Sequence, residues 1–275
     1  MDSGEFLSLA ETQQIYLELM VEFDRLCREN GLRNDLAGGS LLGAVRHQGF
    51  IPWDNDIDVS MPRPDYERLL SMCLNGQIQM PAHRELIMDR NRTFPRHFAR
   101  FVRHDVKRES DMAEEWDCPY IGIDIFPVDG LPGSDAMFRR QVWQVRQLRR
   151  LLLTSVEKPN TSRRGKAAAA IKNLYRPVLR KIGTYRLAAA LDRVCRHVNY
   201  ENAEFVGCIS GIYGIRERWR KADMEPQVEL EFQGHRFFGY ANYHIYLTNL
   251  YGDYMKLPAK EQQVPHCDPC RRVEV

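Results

Sequence analysis

The sequence predicts a mixed α/β fold of the α+β kind, a mixed sheet flanked by helices and interrupted by a basic helical insertion. Three observations predict it. Leu36-Ala37-Gly38-Gly39-Ser40 reads as the end of a strand turning through glycines into a short helix. Two strand-like runs carry acids among apolar residues: Asp56-Ile57-Asp58-Val59 and Tyr120-Ile121-Gly122-Ile123-Asp124-Ile125-Phe126-Pro127. Between about 136 and 200 the composition changes to helix-period apolar residues set in arginine and lysine. The expected division is a catalytic core over 1–134, a basic helical insertion over 135–200, and a C-terminal part over 201–275 that completes the core.

The first helix is announced by the capping box Ser8-Leu9-Ala10-Glu11, and Tyr16, Leu19, Met20, Phe23, Leu26 and Cys27 keep helical spacing until Asn30-Gly31 stops it. Leu32 to Ala37 should form the first core strand. Gly38 and Gly39 permit φ > 0 and close approach to a ligand, and Ser40 is expected to cap a helix over roughly 40–47, leaving its first N–H groups free for an anion. Arg46 and His47 leave that helix near the acidic run, where Arg46 is suited to a phosphate.

In the acidic run, period 2 puts Asp56 and Asp58 on one strand face and Ile57 and Val59 on the other. Carboxylates this close repel each other, so a divalent cation, Mg²⁺ or Mn²⁺, is the expected partner. Asp54 has the same phase and is an alternative ligand, but it follows the Pro52-Trp53 bend, which favours Asp56 and Asp58. Pro62-Arg63-Pro64 should end pairing and begin a helix lasting to about Cys73.

Strands follow at Glu85–Met88 and Arg96–Arg103, the second read as an edge strand whose Arg96 and Arg100 either reach a phosphate or face outward. Asp124 lies among residues that want burial, and an unpaired buried charge is expensive. Its partner is either a metal shared with Asp56 and Asp58 or a structural arginine. Asp129, before Gly130, reads as a turn former.

Helices are expected at about 136–156, 165–182 and 185–200. Sixteen Lys/Arg stand against two acids from Arg139 to Arg196, so this surface should face an anionic partner such as lipid headgroups or a glycan. Few aromatics interleave these arginines, so nucleic acid is not expected. Beyond lie a glycine-rich strand at Phe205–Gly211, a hairpin of Val228–Phe232 and Arg236–Tyr240, and a helix at Asn242–Leu250. That helix ends in Tyr251-Gly252-Asp253-Tyr254, where Asp253 is a further contact candidate.

The string from Gly38 to Arg46 and on through Phe50-Ile51-Pro52-Trp53-Asp54-Asn55-Asp56-Ile57-Asp58 resembles the LicD family. The Ile123-Asp124-Ile125-Phe126-Pro127 and Tyr251–Pro258 strings are similar to that family too. The resemblance implies a nucleotidyltransferase fold in which Asp56, Asp58 and Asp124 bind metal and catalyse. Gly38, Gly39, Ser40 and Arg46 would then hold donor phosphate. It further implies transfer of a phospho-alcohol such as phosphocholine from a CDP-activated donor to a cell-surface glycan or its lipid-linked precursor. Two other readings stay open: a nucleotidyltransferase moving NMP from NTP, and a non-catalytic protein that binds anionic lipid or glycan.

Composition bounds these readings. A chain of 275 residues, 44% hydrophobic, can bury a sizeable core. Seven scattered cysteines suggest a reduced compartment. With no signal-peptide pattern and no run near eighteen apolar residues, the expected location is the cytoplasm, with peripheral contact at the inner membrane face. His266-Cys267-Asp268-Pro269-Cys270 has ligand spacing, but one such pair is too few for a structural zinc site, and zinc is disfavoured.

Overall fold

The computed structural model describes residues 5–109, 118–159, 165–264 and 268–274. Helix α1 (Leu9–Glu29) opens the fold with its capping box intact and lays Leu19, Met20, Phe23 and Cys27 onto the sheet, all without solvent contact. A two-residue strand β1 (Asp35–Leu36) leads into α2 (Gly38–His47), and β2 (Asp58–Pro62) runs into α3 (Arg63–Leu74). Strands β3 (Arg84–Ile87), β4 (Ala99–Arg108) and β5 (Tyr120–Leu131) follow, then helices α4 (Asp135–Val156), α5 (Lys166–Ile182) and α6 (Thr184–Cys195). The chain returns through β6 (Phe205–Gly207), β7 (Trp219–Arg220), α7 (Lys221–Met224), the hairpin β8 (Gln227–Phe232) and β9 (His235–Tyr240), α8 (Tyr243–Tyr251) and β10 (Cys270–Arg272).

The main sheet runs β1-β2-β5-β4-β10, with β3 also on β4 and the pair β6–β7 attached to β5. Only β2 and β5 pair in parallel among these, with Asp58 opposite Asp124 and Val59 opposite Ile125. Ile57, Val59, Phe101, Ile121, Ile123 and Ile125 are fully buried, so this register is fixed by apolar burial on the face away from the acids. Helices α4 and α6 form a second apolar cluster around Phe138, Val145, Leu152, Leu187 and Leu191 that reaches the sheet through Leu131.

Several expectations change. The strand expected over 32–37 shrinks to Asp35–Leu36, and Asp56 precedes β2 rather than lying within it. The α2 cap is Ala37, not Ser40; the Ser40 hydroxyl sits inside the helix and accepts the Asp58 N–H at 2.8 Å, tying the acidic strand to α2. Strand β4 is interior, flanked by β5 and by β3 and β10, and Arg96 lies before its start. Asp129 is no turn former. Strand β5 continues through it, and its buried carboxylate accepts two bonds from Arg63, at 2.6 and 2.8 Å. His266 and Cys267 of the disfavoured zinc motif lie outside the described residues; Cys270 is buried in β10.

Candidate active site

The residues that the sequence pointed to converge in part. Gly38 and Gly39 from the start of α2, Asp58 from β2 and Asp124 from β5 line one cavity of about 340 Å³, within the size range of small-molecule sites. Gly38 takes φ +50°, and its N–H donates to the Tyr246 hydroxyl at 3.1 Å. A β-carbon on Gly39 would lie 3.3 Å from Asp54 Oδ2, so the missing side chain lets the acidic loop close against the helix start. Gln13 of α1 holds that loop from behind, its Nε2 donating to the Asp54 carbonyl at 2.7 Å.

The acids form an electrostatic cluster. Burial first, then the charges of Asp54 and Asp124, push the Asp56 carboxyl up to about 7, with Arg100 opposing. Asp56 is exposed, precedes β2 and does not line the cavity that Asp58 and Asp124 share. Asp58 is pushed well above the carboxylate range by burial and then by Asp56, Asp124 and Asp54. This is the signature of negative charge gathered without enough cations beside it. Asp124 is different: Arg100, its register neighbour on β4, grips both carboxylate oxygens. Asp124 thus has an arginine partner, one of the two partners expected for it. Among the described residues, no three His, Cys, Asp or Glu side chains stand in a geometry that would already hold a metal ion.

Arg46 and Asp253 are not brought to the cavity. The Arg46 guanidinium donates to the Tyr254 carbonyl at 2.7 Å and to His47 at the far end of α2, and Asp253 is exposed. Arg96 does line the cavity, beside His97 and Arg149.

The sequence did not disclose the rest of the wall. His97 is buried with both ring nitrogens unpartnered, and burial plus Arg149, Arg96 and Arg63 pull its pKa down to about 3, keeping it neutral. Arg149 has no acidic partner among the described residues; its Nη1 reaches only the Gly211 carbonyl at 3.3 Å. Glu217 and Trp219 are buried, and Glu217 Oε2 and Trp219 Nε1 lack partners. Glu217 sits between two arginines in sequence, a pattern that reads as a solvated loop, so no local signal announced it.

The parallel β2–β5 pair thus carries Asp58 and Asp124 beside the glycine turn at the start of α2 in a mixed α/β domain. Residues 31–149 match the family described as "LicD/FKTN/FKRP, nucleotidyltransferase domain". Over 268 residues the chain is 28% identical to the lipopolysaccharide cholinephosphotransferase LicD of Haemophilus influenzae (strain ATCC 51907 / DSM 11121 / KW20 / Rd), covering 94% of this chain and 96% of that protein. A 48-residue stretch is 42% identical to an uncharacterized protein of Rickettsia prowazekii (strain Madrid E), covering 18% of each chain.

Proposed function

We propose that this chain transfers phosphocholine from a CDP-choline donor to a hydroxyl of a lipopolysaccharide-type glycan or its lipid-linked precursor, in a reaction that needs a divalent cation. The observation that carries the proposal is the meeting of Gly38, Gly39, Asp58 and Asp124 in one cavity. Similarity to a cholinephosphotransferase along nearly the whole chain supports the choice of group.

The donor set fits a hard cation. Asp56 and Asp58 offer carboxylate oxygens, the chemistry that Mg²⁺ and Mn²⁺ favour, and their raised proton affinities mark charge awaiting neutralisation. Asp56 and Asp58 would hold the ion, with Asp124 beside them in the grip of Arg100. When bound, the ion neutralises the donor diphosphate and the departing CMP. The chain's own residues do the rest. The start of α2 presents its positive end to phosphate. The acceptor oxygen attacks the phosphorus of phosphocholine, the bond to CMP breaks with its electron pair leaving on CMP, and a carboxylate of the acid cluster takes the hydroxyl proton.

A peripheral contact with anionic lipid on the inner membrane face belongs to the same proposal. No helix among the described residues is long and apolar enough to cross a membrane. Helix α5, however, exposes Ile171, Leu174, Val178 and Ile182 at helical spacing next to Lys172 and Lys181, the pattern of a helix lying at an interface. The test is incubation with CDP-[methyl-¹⁴C]choline and lipopolysaccharide, with and without Mg²⁺. Label on the glycan and released CMP, both requiring Mg²⁺, are expected. Pyrophosphate release from CTP instead would redirect the assignment to nucleotidyl transfer, and no divalent-dependent chemistry with either donor would favour a binding protein.

A further inference from the structure

The wall of the cavity that Glu217 lines has a chemistry that the acid cluster does not use. Glu217 is 4% exposed, its Oε2 has no hydrogen-bond partner, and no lysine or arginine among the described residues stands within ion-pair distance of it. Around it the wall is aromatic. Trp219 and Tyr246 are stacked with centroids 4.7 Å apart, and Tyr240 lies 5.1 Å from Tyr246. All of these line the same cavity as Gly38, Asp58 and Asp124. Glu217 is also held rigidly. Its N–H donates to the Gly214 carbonyl at 3.0 Å, and its own carbonyl occupies the place where a β-carbon on Gly207 would lie, 2.0 Å away.

We propose that Glu217, with the rings of Trp219 and Tyr246, is the subsite for the trimethylammonium group of the transferred phosphocholine; the proposal rests on the phosphocholine reading above. A buried acid with no cation beside it is costly, and a cationic ligand removes that cost. The rings of Trp219 and Tyr246 add π surface to which a cation is attracted. A primary ammonium carries three N–H donors that each need an acceptor, whereas a quaternary ammonium carries none. Tyr246 joins the two ends of the ligand: its ring belongs to this wall while its hydroxyl accepts the Gly38 N–H at the phosphate end. The ammonium and phosphate positions are thus one side chain apart, the short reach that a two-carbon alcohol provides. Burial pushes the Glu217 carboxyl up to about 8, opposed only by the backbone of Cys208, and a cation beside it favours the charged form.

The test uses the full chain and calorimetric titration with choline and with 3,3-dimethylbutanol, its uncharged carbon analogue. Choline should bind the native protein at least about tenfold more tightly than the analogue, and Glu217→Gln should remove most of that preference. In turnover, the ratio of kcat/KM for CDP-choline over CDP-glycerol should fall about tenfold or more in Glu217→Gln. Equal binding of choline and its analogue overturns the subsite, and so does a choline affinity unmoved by Glu217→Gln. Should the variant fail to fold, the comparison on the native protein still decides. CMP release from CDP-glycerol with choline ignored would sink the subsite and leave the transferase standing. Glu217-dependent choline binding with no CMP released from any donor would do the reverse.

Discussion

Glu217→Gln keeps the side-chain shape and removes one ionisable carboxyl from the cavity wall, which makes its effect on stability depend on pH. Burial raises the folded-state carboxyl from its ordinary 4.5 to about 8. The unfolded chain therefore gives up this proton first, and native stability is lost as pH rises from about 4.5 through about 8. The two proton affinities differ by about 3.5 pH units (8 − 4.5). About 2.8 of these lie between pH 5 and 8.5, which at about 1.36 kcal/mol each is about 4 kcal/mol. The variant, with nothing to ionise, escapes that loss. Asp56 and Asp89, pushed up to about 7 and about 6, titrate in the same window, but they do so in both proteins and cancel in the difference. The surrounding Cys208, Tyr213, Tyr240 and Tyr246 are all held above their ordinary values and stay protonated throughout. Urea unfolding followed by circular dichroism at pH 5, 7 and 8.5 should show the variant's advantage widening by about 4 kcal/mol. Parallel stability profiles for the two proteins would refute a buried, unpaired carboxyl.

Other outcomes follow from the same contacts. Arg63→Leu strands the buried Asp129 carboxylate and should cost about 3–5 kcal/mol in urea unfolding, with Asp129→Asn added to it recovering part of the loss. Gly43→Ala puts a β-carbon 2.4 Å from the Gly49 carbonyl oxygen; it should cost about 1–3 kcal/mol and lower turnover by shifting α2 against the acidic loop. Asp58→Asn relieves like-charge crowding, so the melting temperature of the metal-free protein should rise while Mg²⁺ binding by calorimetry and CMP release are lost. Ser40→Ala removes the bond to the Asp58 N–H and should cost about 1 kcal/mol by thermal melting.

Much of the fold was legible because its signals are local. The Ser8 capping box, the Gln233-Gly234 hairpin turn and the helical periods of α4 to α6 act within a few residues, and these elements formed close to their expected bounds, except that α6, expected to reach 200, ends at Cys195. The glycine turn and acidic strand were legible too, since Gly-Gly followed by alternating acids has few other uses. What stayed hidden depends on partners distant in sequence. Ser40 looked like a cap because its bond to Asp58 spans 18 positions. Asp129 looked like a turn because Arg63, 66 positions earlier, is what permits a carboxylate inside β5. Arg100 looked like an outward edge residue because nothing local shows that β4 is flanked on both sides. Glu217 is the strongest case, since its burial is decided by β6 and α8 and not by the arginines beside it.

The parallel pairing of β2 with β5 also bears on how the protein reaches its working state. Asp58 and Asp124 are 66 positions apart (58 to 124), and a parallel pair cannot be closed by a hairpin, so α3, β3 and β4 must be arranged before the two acids become neighbours. Helix content and the β8–β9 hairpin rest on short-range contacts and recover early on dilution from denaturant, whereas long-range pairing is slow. Enzymatic competence should thus return after most of the circular dichroism signal, making turnover a clock for the last stage of assembly.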